Sequence, residues 1–305
     1  MAGLTLDITA IINVKDEPEL LRKNIEYHKK LGIKNYFIFD RSIEPFNVSL
    51  IRKFSDSEDI KVVVYHRDIF SMPIDSLEFK NRRLDMFSAF KQAFSKGWYV
   101  IMDADEFLVS KYKDISKTAS ITSCNTIILN RYNIASTLNS IPFYEQSYSL
   151  DDVLNLKVVA KSVYMSRDFM ADNPSMPWIM HKVGPKMMSN IREVEGINPG
   201  FHSIETREEI VEVEGADLCL LHVPFTDLKS FANKVKSIRV HLDKIGSTFR
   251  PAQAWHWRRW AEELASSQDI AEEFDKQFFS SDTISDLESR GVIKKLDNVL
   301  ISQLA

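Results

Sequence analysis

The stretch Trp98–Val109, WYVIMDADEFLV, decides how the rest of the chain is read. Its first half, Trp98 to Met102, is apolar at every position, which suits a strand buried on both faces of a parallel sheet. Three carboxylates follow: Asp103, Asp105 and Glu106. In open α/β sheets ligands bind in the crevice beyond the carboxyl ends of the strands, so this acidic turn falls where a ligand is expected. Asp103 and Asp105 stand two apart and can both reach one hard cation, Mg²⁺ or Mn²⁺, which prefers oxygen ligands and also takes diphosphate oxygens. A solvated acidic turn closing a core strand explains the same residues without any chemistry.

Working outward, the chain alternates strand and helix from Ile8, the pattern of a parallel sheet covered by helices. Ile8 to Val14 is an apolar strand, and Asp16 with Glu19 reads as a capping box opening a helix to about Leu31, stopped by Gly32. A second strand runs from Asn35 to Asp40, a short helix lies near Val48 to Phe54, and a third strand runs from Ile60 to Tyr65. A long helix spans about Ser76 to Ser95, with Gly97 as its C-terminal cap. The acidic cluster therefore rides on the fourth strand.

Composition agrees with a globular α/β chain and excludes other classes. The 305 residues are 44% hydrophobic and 27% charged, enough to bury a sizeable core. A net charge of −4 with no lysine or arginine stripe argues against a nucleic-acid partner. Two cysteines, Cys124 and Cys219, are too few for a disulfide framework and fit a reducing compartment. The first residues carry no signal-peptide pattern, and no apolar run of about 18 residues exists to span a membrane. The expectation is a cytoplasmic protein, with peripheral membrane contact left open.

Residues 8 to 240 resemble a GT-A glycosyltransferase of the family 2 type. The resemblance is carried by IINVKDEPELLRKNIEYHKKLGI, NYFIFDRS, WYVIMDADEFL and LHVPFTDLKSFANK, in that order along the chain. It implies an α/β, GT-A (Rossmann-like) fold with a mostly parallel sheet flanked by helices. Residues 1–250 would be the nucleotide-sugar-binding catalytic domain and 251–305 a C-terminal helical extension. It also implies inverting transfer of a sugar from a nucleoside-diphosphate sugar to a hydroxyl of a saccharide or glycolipid, with Mn²⁺ or Mg²⁺ as cofactor.

Residue by residue, the resemblance assigns Asp103, Asp105 and the distant His222 to the metal, an imidazole tilting preference towards Mn²⁺. Asp16, Asp40, Asn81, Arg82, Asp103, Lys182 and His202 fall to the donor, with Lys186, Ser230 and Lys234 in the same pattern. The plain structural readings are a helix cap for Asp16, a turn residue for Asp40, a solvated face for Asn81 and Arg82, and a hydrogen-bonded core imidazole for His222. Relatives commonly carry Asn-Glu where this chain has Asp16-Glu17, and a longer acidic turn where it has Asp40-Arg41-Ser42.

An inverting reaction needs a carboxylate to take the acceptor proton, and Glu145 and Asp172 both lie where such a base can sit. Beyond Gln253, the segment AWHWRRWAEEL carries Trp255, Trp257 and Trp260; it packs on the sheet domain or lies on a membrane surface. Two other function classes remain open: a metal-dependent phosphohydrolase or phosphotransferase, and a noncatalytic nucleotide-binding scaffold.

Overall fold

Uninterrupted apolar runs place the central strands, and the polar residues at their ends place the site. The protein was examined as a computed structural model that describes residues 7–42, 59–66, 77–112, 115, 124–143, 148–161, 173, 175–197, 204–206, 212–214, 217–245, 255–264 and 266–302. The strands are β1 (Ile8–Val14), β2 (Asn35–Asp40), β3 (Lys61–His66), β4 (Trp98–Asp103), β5 (Glu106–Ser110), β6 (Thr126–Leu129), β7 (Arg131–Asn133), β8 (Lys157–Val159), β9 (Lys186–Asn190), β10 (Val194–Ile197), β11 (Ile204–Thr206), β12 (Glu212–Glu214), β13 (Leu218–His222) and β14 (Ile293–Lys295). The α-helices are α1 (Pro18–Lys30), α2 (Leu77–Ala93), α3 (Leu150–Leu154), α4 (Leu228–Ile245), α5 (Trp255–Glu263), α6 (Ser267–Asp275), α7 (Ser281–Ser289) and α8 (Leu296–Ser302).

Seven strands form the central sheet in the order β12-β6-β9-β4-β1-β2-β3. All pairs are parallel except those of β9, which runs antiparallel to both β4 and β6. This is the mostly parallel α/β sheet expected from the sequence. Residues alternate faces along β4: Trp98, Val100 and Met102 join the core cluster that includes Leu20, Leu21 and Ile25 of α1, whereas Tyr99 and Ile101 join Met86, Phe87 and Phe90 of α2 and Phe94 just after it. One helix therefore covers each face, which is why β4 is apolar at every position. Going outward from β1, chain order reverses between β1 and β4, so the crevice at their carboxyl ends is the topological switch point.

A second sheet of three strands, β5-β13-β7, begins directly after the acidic turn; β13 is antiparallel to β5 and parallel to β7. The turn residues Ala104 and Asp105 thus join the two sheets. The C-terminal segment packs into the same core cluster through Trp260, Ile270, Phe274 and Ile293, and β14 pairs with β8. Trp260 is fully buried against Trp178, Phe225 and Phe231. No helix among the described residues is long and apolar enough to cross a membrane.

Two local readings need correction. Asp16 does not cap α1: the N-cap is Glu17, with no side-chain cap bond, Pro18 occupies the first turn, and Glu19 pairs with Arg22 instead. Asp16 takes a left-handed conformation (φ 55°), which short polar side chains tolerate. Gly97 does not cap α2, which ends at Ala93; it opens β4 at φ +95°, where an added Cβ would lie 2.3 Å from the carbonyl oxygen of Asp7. That carbonyl accepts the Trp98 N–H at 2.8 Å. The helix expected near Val48 to Phe54 lies outside the described residues.

Gly97→Ala should therefore cost at least about 2 kcal/mol of unfolding free energy, from a disfavoured φ plus a backbone clash. Urea denaturation measures it; a loss under about 0.5 kcal/mol would show that this junction yields easily.

Candidate active site

The acidic turn is held by side chains that never reach solvent. Asn24, fully buried on α1, donates through Nδ2 to the carbonyls of Ala104 (3.1 Å) and Glu106 (2.7 Å). One turn later, His28 Nε2 accepts the Leu108 N–H at 2.9 Å, so the proton sits on Nδ1, which donates to Asn24. Burial pushes this imidazole down to about 4, which keeps Nε2 an acceptor at neutral pH. His28 thus has a structural job.

Glu106 turns inward. Its Oε2 accepts the Asp103 N–H at 2.8 Å and pairs with Lys186 Nζ at 2.9 Å, while Oε1 pairs with Arg131. Lys186, fully buried, also holds Asp103 Oδ2 at 2.7 Å. Asn13 Nδ2, across the switch point on β1, donates to Asp103 Oδ1 at 2.6 Å. Burial alone would raise the Asp103 carboxyl, but Lys186, Arg41 and Asn13 overcome it and hold the group far below the usual carboxylate range.

Asp105 is placed differently. Its Oδ1 is buried and has no hydrogen-bond partner among the described residues. Its Oδ2 lies 3.7 Å from His222 Nε2 and 3.6 Å from Lys234 Nζ. Against the penalty of burial, Lys234 and His222 hold this carboxyl down at about 2. His222 Nδ1 meets Asn133 Oδ1 at 2.7 Å, and Asn133 is oriented by donating Nδ2 to the carbonyls of Ile179 (2.8 Å) and His181 (3.1 Å). An amide oxygen only accepts, so His222 donates through Nδ1 to Asn133 and turns Nε2 towards Asp105. The Ile179 N–H in turn donates to Gln277 at 3.2 Å, where Gln277 is bound to Glu273, which also accepts the Trp260 N–H at 2.8 Å. The C-terminal helices thereby reach His222 through the backbone of one residue, Ile179, and Asn133.

A carboxylate with a bare, buried oxygen and an imidazole nitrogen nearby, with the far ring N–H tied to a side-chain carbonyl, are groups that could hold a divalent cation. Among the described residues no three His, Cys, Asp or Glu side chains converge as a ready cage, and Asp103 is engaged by Lys186 and Asn13.

Of the other expected residues, Asp40 is fully buried and accepts the Ser42 N–H at 2.9 Å, closing a turn, and exposed Asp16 donates its own N–H to Ser42 Oγ at 2.9 Å. Both stand at the carboxyl ends of β1 and β2. Asn81 is exposed on the first turns of α2, and Lys182 is exposed, four residues ahead of buried Lys186. Ser230 bonds Asp227 at the start of α4. The side chain of Arg82, and Glu145, Asp172 and His202 entirely, lie outside what the structure describes. Glu17, which carried no role in the sequence, lines the same corner: Lys234 Nζ is 3.9 Å from its Oε1. Burial pushes Glu17 up to about 7, with Lys234 opposing and Asp105, Asp103 and Asp16 adding to the rise. Only its place directly after Asp16, at the end of β1, pointed to it.

No family description and no curated protein sequence matches the chain. Among solved structures, it is similar to S. aureus TarS 1-349, at 10% identity over 97% of this chain and 89% of that one, with a TM-score of 0.36. A second TarS structure, in complex with UDP, gives 11% identity over the same shares and a TM-score of 0.33. A Bacillus anthracis protein described as a putative glucose-1-phosphate thymidylyltransferase gives 9% identity over 93% of this chain and 84% of that one, with a TM-score of 0.29. At these values the likenesses carry no weight for chemistry, which rests on the side chains.

Two outcomes follow from the geometry. Glu106→Gln should cost about 3 kcal/mol or more, because it leaves Lys186 and Arg131 short of a buried partner. Asp105→Asn should leave the melting temperature within a few degrees, since one oxygen already lacks a partner; equal losses from both would mean the two acids share one structural role. The second outcome concerns pH. Glu17 binds its proton more readily folded than unfolded, so stability falls as pH rises from about 4.5 to about 7, by on the order of 1–3 kcal/mol. Asp105 works oppositely: its share is intact above about 4 and is lost as pH falls towards 2. Urea melts between pH 4.5 and 7.5 should show a shallower decline in Glu17→Gln, and an unchanged slope would place the Glu17 titration elsewhere.

Proposed function

We propose that the protein is a metal-dependent, inverting glycosyltransferase of the GT-A type, moving a sugar from a nucleoside-diphosphate sugar to a hydroxyl of a saccharide or glycolipid. The observation that carries the reading is an Asp105 carboxylate with a bare Oδ1 and with His222 Nε2 3.7 Å from its other oxygen, at the switch point of a mostly parallel sheet. Asp105 and His222, with Asp103 behind them, would hold Mn²⁺ or Mg²⁺. Such an ion, when bound, neutralises charge developing on a departing diphosphate.

The chain's own residues divide the remaining work. Asp16 and Asp40 stand at the ends of β1 and β2, on the side of the crevice where the nucleoside would lie, with Asn81 and Arg82 on α2 beyond them. Lys182 and His202 supply further donor contacts in this reading. Asn24, His28 and Glu106 fix the backbone of the acidic turn, so Asp105 is aimed before any ligand arrives and little reorganisation is needed on binding. Glu145 or Asp172 takes the acceptor proton. A glycolipid acceptor would bring the protein to a membrane surface.

The direct test is a thermal-shift panel of nucleoside diphosphates and nucleotide sugars with and without Mn²⁺, because a ligand of the native state alone raises the melting temperature. One nucleotide class should stabilise the wild type only when Mn²⁺ is present, and Asp105→Ala should abolish both that shift and turnover. Stabilisation by phosphate monoesters with release of phosphate would favour a phosphohydrolase and sink the transferase. For the base, the amide variant of Glu145 or of Asp172 should lose roughly 10²–10⁴-fold in turnover with donor binding intact.

A further inference from the structure

Lys234 reaches from α4 into the acidic corner and sits between two carboxylates without a short bond to either, 3.6 Å from Asp105 Oδ2 and 3.9 Å from Glu17 Oε1. Short charge-assisted bonds run about 2.7–2.9 Å. The contrast with Lys186 is direct, since that ammonium lies 2.7 Å from Asp103 and 2.9 Å from Glu106 and is sealed from solvent. Lys234 is about one-third exposed on its side chain (33%), and its flexible stem lets the ammonium move. It stands on the same Asp105 oxygen that the His222 imidazole approaches, and the other oxygen has no partner.

We infer that Lys234 is an internal placeholder for the divalent cation: its ammonium balances Asp105 in the metal-free protein and yields that carboxylate on metal binding, moving onto Glu17. The inference rests on the metal reading of Asp105 and His222 given above. Two cations a few ångströms apart repel strongly in a partly buried site, so a metal on Asp105 weakens the hold of that carboxylate on the ammonium. Glu17 makes the exchange feasible, because it offers the displaced ammonium a second acid within its present reach. The device keeps the empty site near charge balance and lowers its apparent affinity for metal.

Mn²⁺ binding to the full chain without nucleotide, followed by the electron-paramagnetic-resonance signal of free Mn²⁺, tests this apart from activity. Lys234→Met should bind Mn²⁺ at least about tenfold more tightly than the wild type, by removal of a competing charge. Lys234→Arg should bind no more tightly than the wild type, and Asp105→Asn should lose at least about tenfold. Lys234→Gln stands in if the Met variant does not fold, with the same expectation. Equal or weaker binding by the neutral variants, with Asp105→Asn still impaired, would overturn the placeholder and leave the metal site standing. Absence of Mn²⁺ binding in both the wild type and the neutral Lys234 variants would overturn the metal reading and the placeholder with it.

Discussion

A carboxylate that never meets water holds the two sheets of this protein together. Glu106 opens β5, yet it bonds the last residue of β4 through the Asp103 N–H, Lys186 at the start of β9, and Arg131 at the start of β7. Four strands from both sheets therefore meet on one side chain. Breaking a buried pair of this kind typically costs about 3–5 kcal/mol, because the partner left behind keeps its charge and loses its compensation. The acidic turn inherits its geometry from that junction. Two consecutive residues thus contain a carboxylate used for architecture, Glu106, and one with a bare oxygen, Asp105.

Much of the fold was legible because the central strands are buried on both faces and their apolar runs are unbroken. Ile8–Val14 and Asn35–Asp40 fell at the expected bounds, and Trp98–Asp103 extended by one residue. What stayed hidden is short or paired far along the chain. The antiparallel β9 carries a lysine and an asparagine at its ends and reads as a loop, and β14 consists of three residues, two of them lysine, paired with a strand more than 130 residues away. Glycine punctuation was read correctly at Gly32 but misassigned at Gly97, where a backbone approach from Asp7, invisible in sequence order, imposes the glycine.

At the site, the acids were visible as types and the roles were not. Nothing local distinguishes Glu106, fully buried and ion-paired, from Asp105, buried with a bare oxygen. The Asn24-His28 clamp looked like part of an amphipathic helix, because the groups it serves are backbone atoms of the turn, about 80 residues on. Backbone partners leave no mark in a sequence pattern, and this accounts for most of what was missed. The electrostatics follow the same division: Asp103 is pinned by a lysine sealed from solvent, whereas Asp105 and Glu17 lie either side of the ammonium of a partly exposed lysine side chain.

The peptide link from Gln277 through Ile179 to Asn133 and His222 has a consequence for how the protein is made. Synthesis delivers the parallel strands and the acidic turn well before Gln277. The last support of the imidazole is therefore added only after the crevice strands have been made, and a nascent chain stopped short of Gln277 would lack it.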